Sequence, residues 1–402
     1  MDFRLVNAKT LPQAMDLWDE CFEKKGTPFY EWYHSHYALQ QNQIIGGFEN
    51  DQLMTMLHLN PYVLHLREKE WKIPYIVGVA TDPVARGSHV MGQLLETTFT
   101  MLRAMKVPFV ILMPIYAGIY QPYGFAYTHF RKEYNLPLRS LDLGGDALDR
   151  YTLRRVPTEK AAPLLAPVYE AIMKSYHGWV KRDQRVWENT LLTAAAEGYE
   201  TVVVENHGAP MGYGVYNKEN GVVNVQEMLF ADAPAKVRLL QYMKGFAGTW
   251  QTLHWLAADD DLTYLQLPDQ QLAPKTAPFM MGRVVNATQC LQQLEIPENL
   301  LGETFVLGLK DEQIPLNTML VKLRFTKEGT QILNTLDDPD VLMDIRAFTQ
   351  LFFGALHVQA LLRSGMVYAA NATAAEKLEM LFPKNNISLP LSNNKRTTLV
   401  DK

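Results

Sequence analysis

Tyr75-Ile76-Val77-Gly78-Val79-Ala80-Thr81 is followed by Asp82-Pro83-Val84-Ala85-Arg86-Gly87-Ser88-His89, and then by Val90-Met91 and the residues leading to Met105. The first stretch is largely apolar without alternation, as a strand buried on both faces requires. Asp82-Pro83 ends it. Beyond the polar loop, Met91, Leu94, Leu95, Thr98, Leu102 and Met105 recur at helical spacing and share one face. A second buried strand, Phe109–Met113, follows. Strand, loop, helix and strand form a crossover unit, with a possible ligand loop at the carboxyl end of the first strand.

Upstream, a short strand at Phe3–Val6 precedes a helix carrying Leu11, Ala14, Met15, Trp18, Cys21 and Phe22, which ends at Lys24-Lys25-Gly26. A second helix is expected across Phe29–Leu39. Strands Gln43–Phe48, Gln52–Leu59 and Val63–Leu66, separated by Glu49-Asn50-Asp51 and Asn60-Pro61, read as an antiparallel meander. The order returns downstream. Glu200–Glu205 and Met211–Tyr216 form a hairpin, Val222–Phe230 is strand-like, Ala233-Pro234 breaks it, Ala235–Thr249 reads as a helix and Leu253–Ala257 as a strand. Pro83 and Pro234 occupy matching places, which marks an internal duplication. From Val284 onward, strands at Glu303–Lys310 and Thr318–Thr326 precede helices at Asp340–Phe352, His357–Ser364 and Thr373–Met380. That is a separate α+β domain. The domains expected are therefore 1–150, 151–284 and 285–402. The segment Lys384–Lys402 is polar and without periodicity.

Composition limits the function classes. With 402 residues, 48% of them hydrophobic, the chain can build several cores and is not disordered. Its 38 Lys+Arg against 43 Asp+Glu, net −5, oppose nucleic-acid binding. Two distant cysteines, Cys21 and Cys290, give neither a disulfide framework nor a cysteine-built zinc site, and a reducing cytoplasm fits them. The opening MDFRLVNAKTLPQAMDLW has no secretory-signal pattern, and no apolar run is long enough for a membrane span.

The Asp82–Met91 loop has the position of a phosphate cradle. Amides at a helix start, with the positive dipole end behind them and Arg86 alongside, favour an anion; an ordinary turn before a helix is the plainer alternative. Downstream, Gly118-Ile119-Tyr120-Gln121-Pro122-Tyr123-Gly124-Phe125 follows the Phe109–Met113 strand. Together, strand-Pro-x-x-Arg-Gly-x-x-x-Met, helix, strand and Ile-Tyr-x-x-Tyr-Gly-Phe resemble the GNAT acetyltransferases, which bind acetyl-coenzyme A. The wider plan resembles the Eis family of aminoglycoside and lysine N-acetyltransferases, whose last domain is similar to a sterol-carrier protein. Asp344-Ile345-Arg346-Ala347-Phe348-Thr349-Gln350-Leu351-Phe352-Phe353-Gly354 and Leu381-Phe382-Pro383 match its C-terminal pattern.

The resemblance implies a mixed α/β chain. Two tandem GNAT folds, each a central mixed sheet flanked by helices, would be followed by a sterol-carrier-like α+β domain. The first GNAT unit would bind acetyl-CoA and the second would be degenerate. It further implies that main-chain groups of Val79 and Thr81 pair with the pantetheine arm, and that the amides of Arg86, Gly87, Ser88, His89, Val90 and Met91 hold the pyrophosphate. Tyr120 would be the general acid to the departing thiolate and the terminal carboxylate, on Lys402, the general base. No metal is implied. The acceptor would be a primary amine of an aminoglycoside-like molecule, a peptide or a protein lysine, and the assembly a homo-oligomer, with a hexamer as the candidate size.

An alkyl amine is only about one part in two thousand neutral at pH 7, a deficit of roughly 4.6 kcal/mol, so a base or an acidic pocket must help. A phenol facing a thiolate loses its proton uphill by about 2 kcal/mol, which turns Tyr120 towards hydrogen-bond donation. Two departures stand out. His89 occupies a position where the family pattern has glycine; its imidazole either obstructs the phosphate, aims outward or donates to it. The tail after Phe382-Pro383 is longer than the family's. Both leave open a rival reading, a catalytically impaired binding protein on a GNAT scaffold; lipid carriage by the last domain is a further one. His34, His36, His58 and His65 are read as surface or core histidines against a metal site, Asp259-Asp260-Asp261 as a solvated turn, and Cys21 as packing. Trp18 is assigned to the core, while Trp32 and Tyr33 are divided between core and an acceptor pocket.

Overall fold

The computed structural model describes residues 1–143 and 148–388, and these cluster into two compact units, 1–129 with 279–385 and 130–143 and 148–278 with 386–388. In the first segment, β1 (Asp2–Leu5), α1 (Leu11–Cys21) and α2 (Pro28–Trp32) precede an antiparallel meander of β2 (Gln43–Glu49), β3 (Gln52–Leu66) and β4 (Lys69–Thr81). The break expected at Asn60-Pro61 does not occur. Pro61 lies opposite Pro74, so the two residues that lack an N–H share one rung and β3 runs through. The helix expected across Phe29–Leu39 stops at Trp32 and continues as a π turn over Tyr33–Tyr37. α3 (Val90–Ala104) then crosses to β5 (Phe109–Leu112), parallel to β4, and α4 (Ala117–Tyr120) leads through a 3-10 turn into β6 (Ala126–Pro137).

The second unit is built on β7 (Tyr151–Val156), α5 (Ala162–Met173), β8 (Trp179–Lys181), α6 (Gln184–Ala196), β9 (Glu200–Asn206), β10 (Ala209–Glu219), β11 (Val222–Phe230), α7 (Ala233–Lys244) and β12 (Thr252–Ala258). Its strand order is β6-β12-β11-β10-β9-β7, with β11 parallel to β12 and the remaining pairs antiparallel. Tyr134 and Trp255 stack in its core with ring centroids 5.1 Å apart.

The chain re-enters the first unit through β13 (Lys275–Val284), which pairs antiparallel with β5. Beyond α8 (Ala287–Gln292) come β14 (Thr304–Lys310), β15 (Met319–Thr326), β16 (Gly329–Asn334), β17 (Val341–Asp344), α9 (Ile345–Phe353), α10 (Val358–Arg363), β18 (Val367–Ala369) and α11 (Ala372–Leu381). These strands form a separate sheet ordered β16-β15-β14-β17-β18. The helix expected from Asp340 begins only at Ile345. Val341–Asp344 pairs with β14 as a strand, and the Asp344 carboxylate caps α9 by accepting from the Arg346 and Ala347 amides. Among the described residues no helix is long and apolar enough to cross a membrane.

Candidate active site

Among the described residues β4 and β5 pair at Tyr75–Ile111 and Ile76–Leu112 alone. β4 continues to Thr81, so residues 77–81 have no strand partner on that side among the described residues. The divergence has a local cause. The β3–β4 register shifts so that Gly78 and Val79 together oppose Leu57, a bulge that bends β4. Gly78 adopts φ +58, and a Cβ there would come within 2.5 Å of the Trp18 ring. Glycine is thus required both for the backbone and for the indole beneath it.

The loop after β4 is shaped by its own side chains. Asp82 accepts from the Val84 amide, and Ser88 Oγ donates to the Ala85 carbonyl at 2.5 Å. Gly87 has φ +81 with open space around it. His89 lies at φ 58, ψ 16, the left-handed region, and directly precedes α3. Its imidazole is exposed, with no hydrogen-bond partner among the described residues. The backbone there takes the form a glycine would take, and the ring points to solvent. The first bond of the helix runs from Gln93 to the His89 carbonyl, and the amides of Gly87, Ser88, His89, Val90, Met91 and Gly92 meet no protein acceptor among the described residues. Six donors at the positive end of a 15-residue helix are thereby left for an anion.

Arg86 is placed differently from what the sequence implies. Its amide is spent on the Pro83 carbonyl, and its guanidinium folds back, Nε donating to the Thr81 carbonyl at 3.2 Å and Nη2 lying 3.7 Å from Cys21 Sγ. Thr81's carbonyl is therefore occupied, and Cys21 sits at the loop, half-buried, rather than serving only as packing.

Tyr120 ends α4, 8% exposed, within the cluster that contains Ile76, Leu112 and Phe125 and against which Val79 and Met91 pack. Desolvation pushes its phenol up to about 12. The hydroxyl has no partner among the described residues. Tyr120, the open edge of β4 and the start of α3 thus converge on one core cluster. Lys402 lies outside the described residues.

Residues 2–128 match the family described as "Acetyltransferase (GNAT) domain", residues 178–284 match a second "Acetyltransferase (GNAT) domain", and residues 287–390 match "Sterol carrier protein domain". The chain is a tandem GNAT protein with a sterol carrier protein domain. Three solved structures share its fold nearly end to end. A probable N-acyltransferase from Enterococcus faecalis V583 has TM-score 0.85 at 20% identity, covering 96% of this chain and 98% of that one. A GCN5-related N-acetyltransferase from Anabaena variabilis ATCC 29413 has TM-score 0.82 at 16% identity, covering 97% and 100%. Eis1 from Mycobacterium abscessus has TM-score 0.76 at 15% identity, covering 98% and 100%. At such identities the likeness is one of fold. A search of curated protein sequences returned no match.

The second GNAT domain repeats the split sheet without the cradle. Val215 faces Glu227 and Tyr216 faces Val225, leaving Gln226 as a bulge, and β11–β12 pairing stops at Val225–Trp255. Only Ala231 and Asp232 separate β11 from α7. The Asp232 carboxylate caps that helix, accepting from the Ala235 amide at 2.8 Å and from the Tyr151 hydroxyl at 2.6 Å. A built-in anion thus occupies the helix start that a phosphate would need. Glu227, just past the bulge, is buried in a bidentate pair with Arg182 at 3.0 and 2.5 Å. None of these carboxylate roles was read from the sequence, although Asp232 three residues before Ala235 is a legible cap.

Other expectations resolve as follows. Trp18 and Tyr33 are both core residues, stacked 4.9 Å apart, and Tyr33's hydroxyl bonds His58 Nδ1 at 2.9 Å. Trp32 is only partly buried. His34 and His58 are buried, which matches the core alternative for these two. Asp259-Asp260-Asp261 is more than a solvated turn: Asp261 accepts from Tyr134 at 2.7 Å and caps Thr263, and Asp260 accepts from Tyr176.

Proposed function

We propose that this chain is an acetyl-CoA-dependent N-acetyltransferase in which the first GNAT domain alone binds the coenzyme. The observation that carries the reading is the row of unspent amides from Gly87 to Gly92, beside the unpaired edge of β4. Those amides, with Arg86 once it leaves Thr81, would hold the pyrophosphate; Val79 and Thr81 would offer main-chain groups to the pantetheine arm. Bound acetyl-CoA supplies a thioester carbonyl open to attack by an amine. With its phenol near 12, Tyr120 would lose about 5 kcal/mol in handing its proton to a thiolate near 8.5. It therefore serves as a hydrogen-bond donor to charge developing on sulfur. By the Eis resemblance a carboxylate, assigned there to Lys402, would be the base, and the acceptor is a primary amine of an aminoglycoside-like molecule, peptide or lysine. The Eis resemblance supports a homo-oligomer, with a hexamer as the assembly to test for, and the two unpaired cysteines suit a reducing cytoplasm.

A second reading, a GNAT-scaffold binding protein with impaired turnover, draws on one observation: Arg86 is engaged with Thr81 and Cys21 instead of facing the cradle. Release of free thiol from acetyl-CoA in the presence of an amine library separates the two. Turnover with a primary amine is expected. Micromolar coenzyme binding without thiol release from any amine would favour the second reading.

A further inference from the structure

The turn that carries Tyr120 is held by residues far downstream. Its last carbonyls, at the end of α4 and the 3-10 turn Gln121–Tyr123, are of the kind that a short helical segment leaves without an internal donor. Arg283, fully buried on β13, donates Nε to the Tyr123 carbonyl at 2.8 Å and Nη1 to the Val284 carbonyl at 2.7 Å, and Nη2 meets both oxygens of Asp311 at 2.8 Å. Asp311, also buried and inside the sterol carrier domain, is in turn fixed by the amides of Gln313 and Ile314 at 3.1 Å and by Asn317 Nδ2 at 2.9 Å. Gln313 Nε2 reaches the Pro122 carbonyl at 3.2 Å. The approach is close: a Cβ on Gly124, φ +81, would lie 2.6 Å from Arg283 Nε. At the other end of the turn, a Cβ on Gly92 would lie 2.6 Å from the Tyr123 hydroxyl, so the same turn rests on the first turn of α3.

We propose that the Arg283–Asp311 pair is a positioning device through which the sterol carrier domain sets the place of Tyr120. The inference rests on the acetyl-transfer reading for its catalytic consequence. A buried guanidinium engaged through all three of its nitrogens has one low-energy orientation, so the Tyr123 carbonyl, and with it the turn after Tyr120, is fixed against β13. Loss of the pair lets that turn drift, and a shift of about 1 Å at a reacting group costs up to a hundredfold in rate.

The test uses the full chain. Because removing one partner strands a buried charge, the variant is the double substitution R283M/D311N, which removes both charges and keeps an acceptor for the Gln313 and Ile314 amides. Expected are a folded protein, KM for acetyl-CoA within about threefold, kcat down by roughly ten- to a hundredfold, and less than about twofold further loss when Y120F is added. Separately, 3-fluorotyrosine placed at position 120 should give one sharp fluorine resonance in the parent and a broadened or divided one in the variant. If the parent shows no turnover, the acetyl-transfer reading fails while the resonance still decides the positioning role. A folded variant with parental kcat and an unchanged resonance overturns the proposal. Should the double variant not fold, R283K, which cannot serve Asp311 and Tyr123 together, is judged by the same two readouts.

Discussion

Tyr120 sits where its chemistry is limited by its surroundings. Buried among Ile76, Leu112 and Phe125, the phenol is a poor proton source and a good hydrogen-bond donor. Tyr120→Phe should lower kcat by about 10²-fold, with KM for acetyl-CoA unchanged, in a steady-state assay of thiol release. A parallel rise in KM would mean that the hydroxyl also holds the bound coenzyme and does not act in the transition state alone. His89 was the residue on which the sequence left most open, since periodicity says nothing of where a loop side chain points. In the structure its backbone is left-handed and its ring faces solvent. His89→Gly is therefore expected to change coenzyme affinity by less than threefold and stability by less than about 1 kcal/mol, strain relief being offset by the freer unfolded chain. Affinity tighter by tenfold or more would show that the imidazole obstructs the site.

At the scale of elements, the Gly78 bulge governs the cleft, because it turns β4 away from β5. Gly78→Ala should destabilise by about 1–3 kcal/mol in urea denaturation, as the added methyl meets the Trp18 ring in a backbone region that alanine resists. A neutral result would remove the bulge from the explanation. The crossover from β4 through α3 to β5 was legible in the sequence, since a buried run, an Asp-Pro break and a one-faced helix leave little alternative. The bulge was not, because Gly78 inside an apolar run fits a regular strand equally well. Nor was the continuity of β3 through Pro61, which depends on Pro74 standing across the ladder. Asp232 is a mixed case in the second GNAT domain: as a cap three residues before Ala235 it is legible, whereas the bond it accepts from Tyr151, 81 residues upstream, depends on the fold.

For the whole molecule, the first unit is assembled from separate stretches of chain. Arg67, in the β3–β4 turn and 6% exposed, donates to the carbonyls of Leu351, Phe352 and Leu381. Arg67→Met should cost about 2–4 kcal/mol by taking the donor from the Phe352 and Leu381 carbonyls, while Leu351 keeps its bond from the Gly354 amide, read as a shifted midpoint in thermal unfolding. Acid should destabilise this unit as well. Desolvation lowers His58 to about 3 and His34 to about 4, against 6.5 when unfolded. A depressed histidine stabilises above the unfolded value and loses that contribution as pH falls below it, so His58 alone removes about 2 kcal/mol between pH 7 and pH 5. The melting temperature should drop accordingly, and His58→Gln should flatten the dependence; an unchanged slope would exclude His58 as its source. The account as a whole turns on whether the amides before and within the first turn of α3 take a diphosphate while α7, already capped by Asp232, does not. Calorimetric titration with acetyl-CoA tests this most directly. Binding of one coenzyme per chain with micromolar affinity is expected, and either no heat of binding or two coenzymes per chain would contradict it.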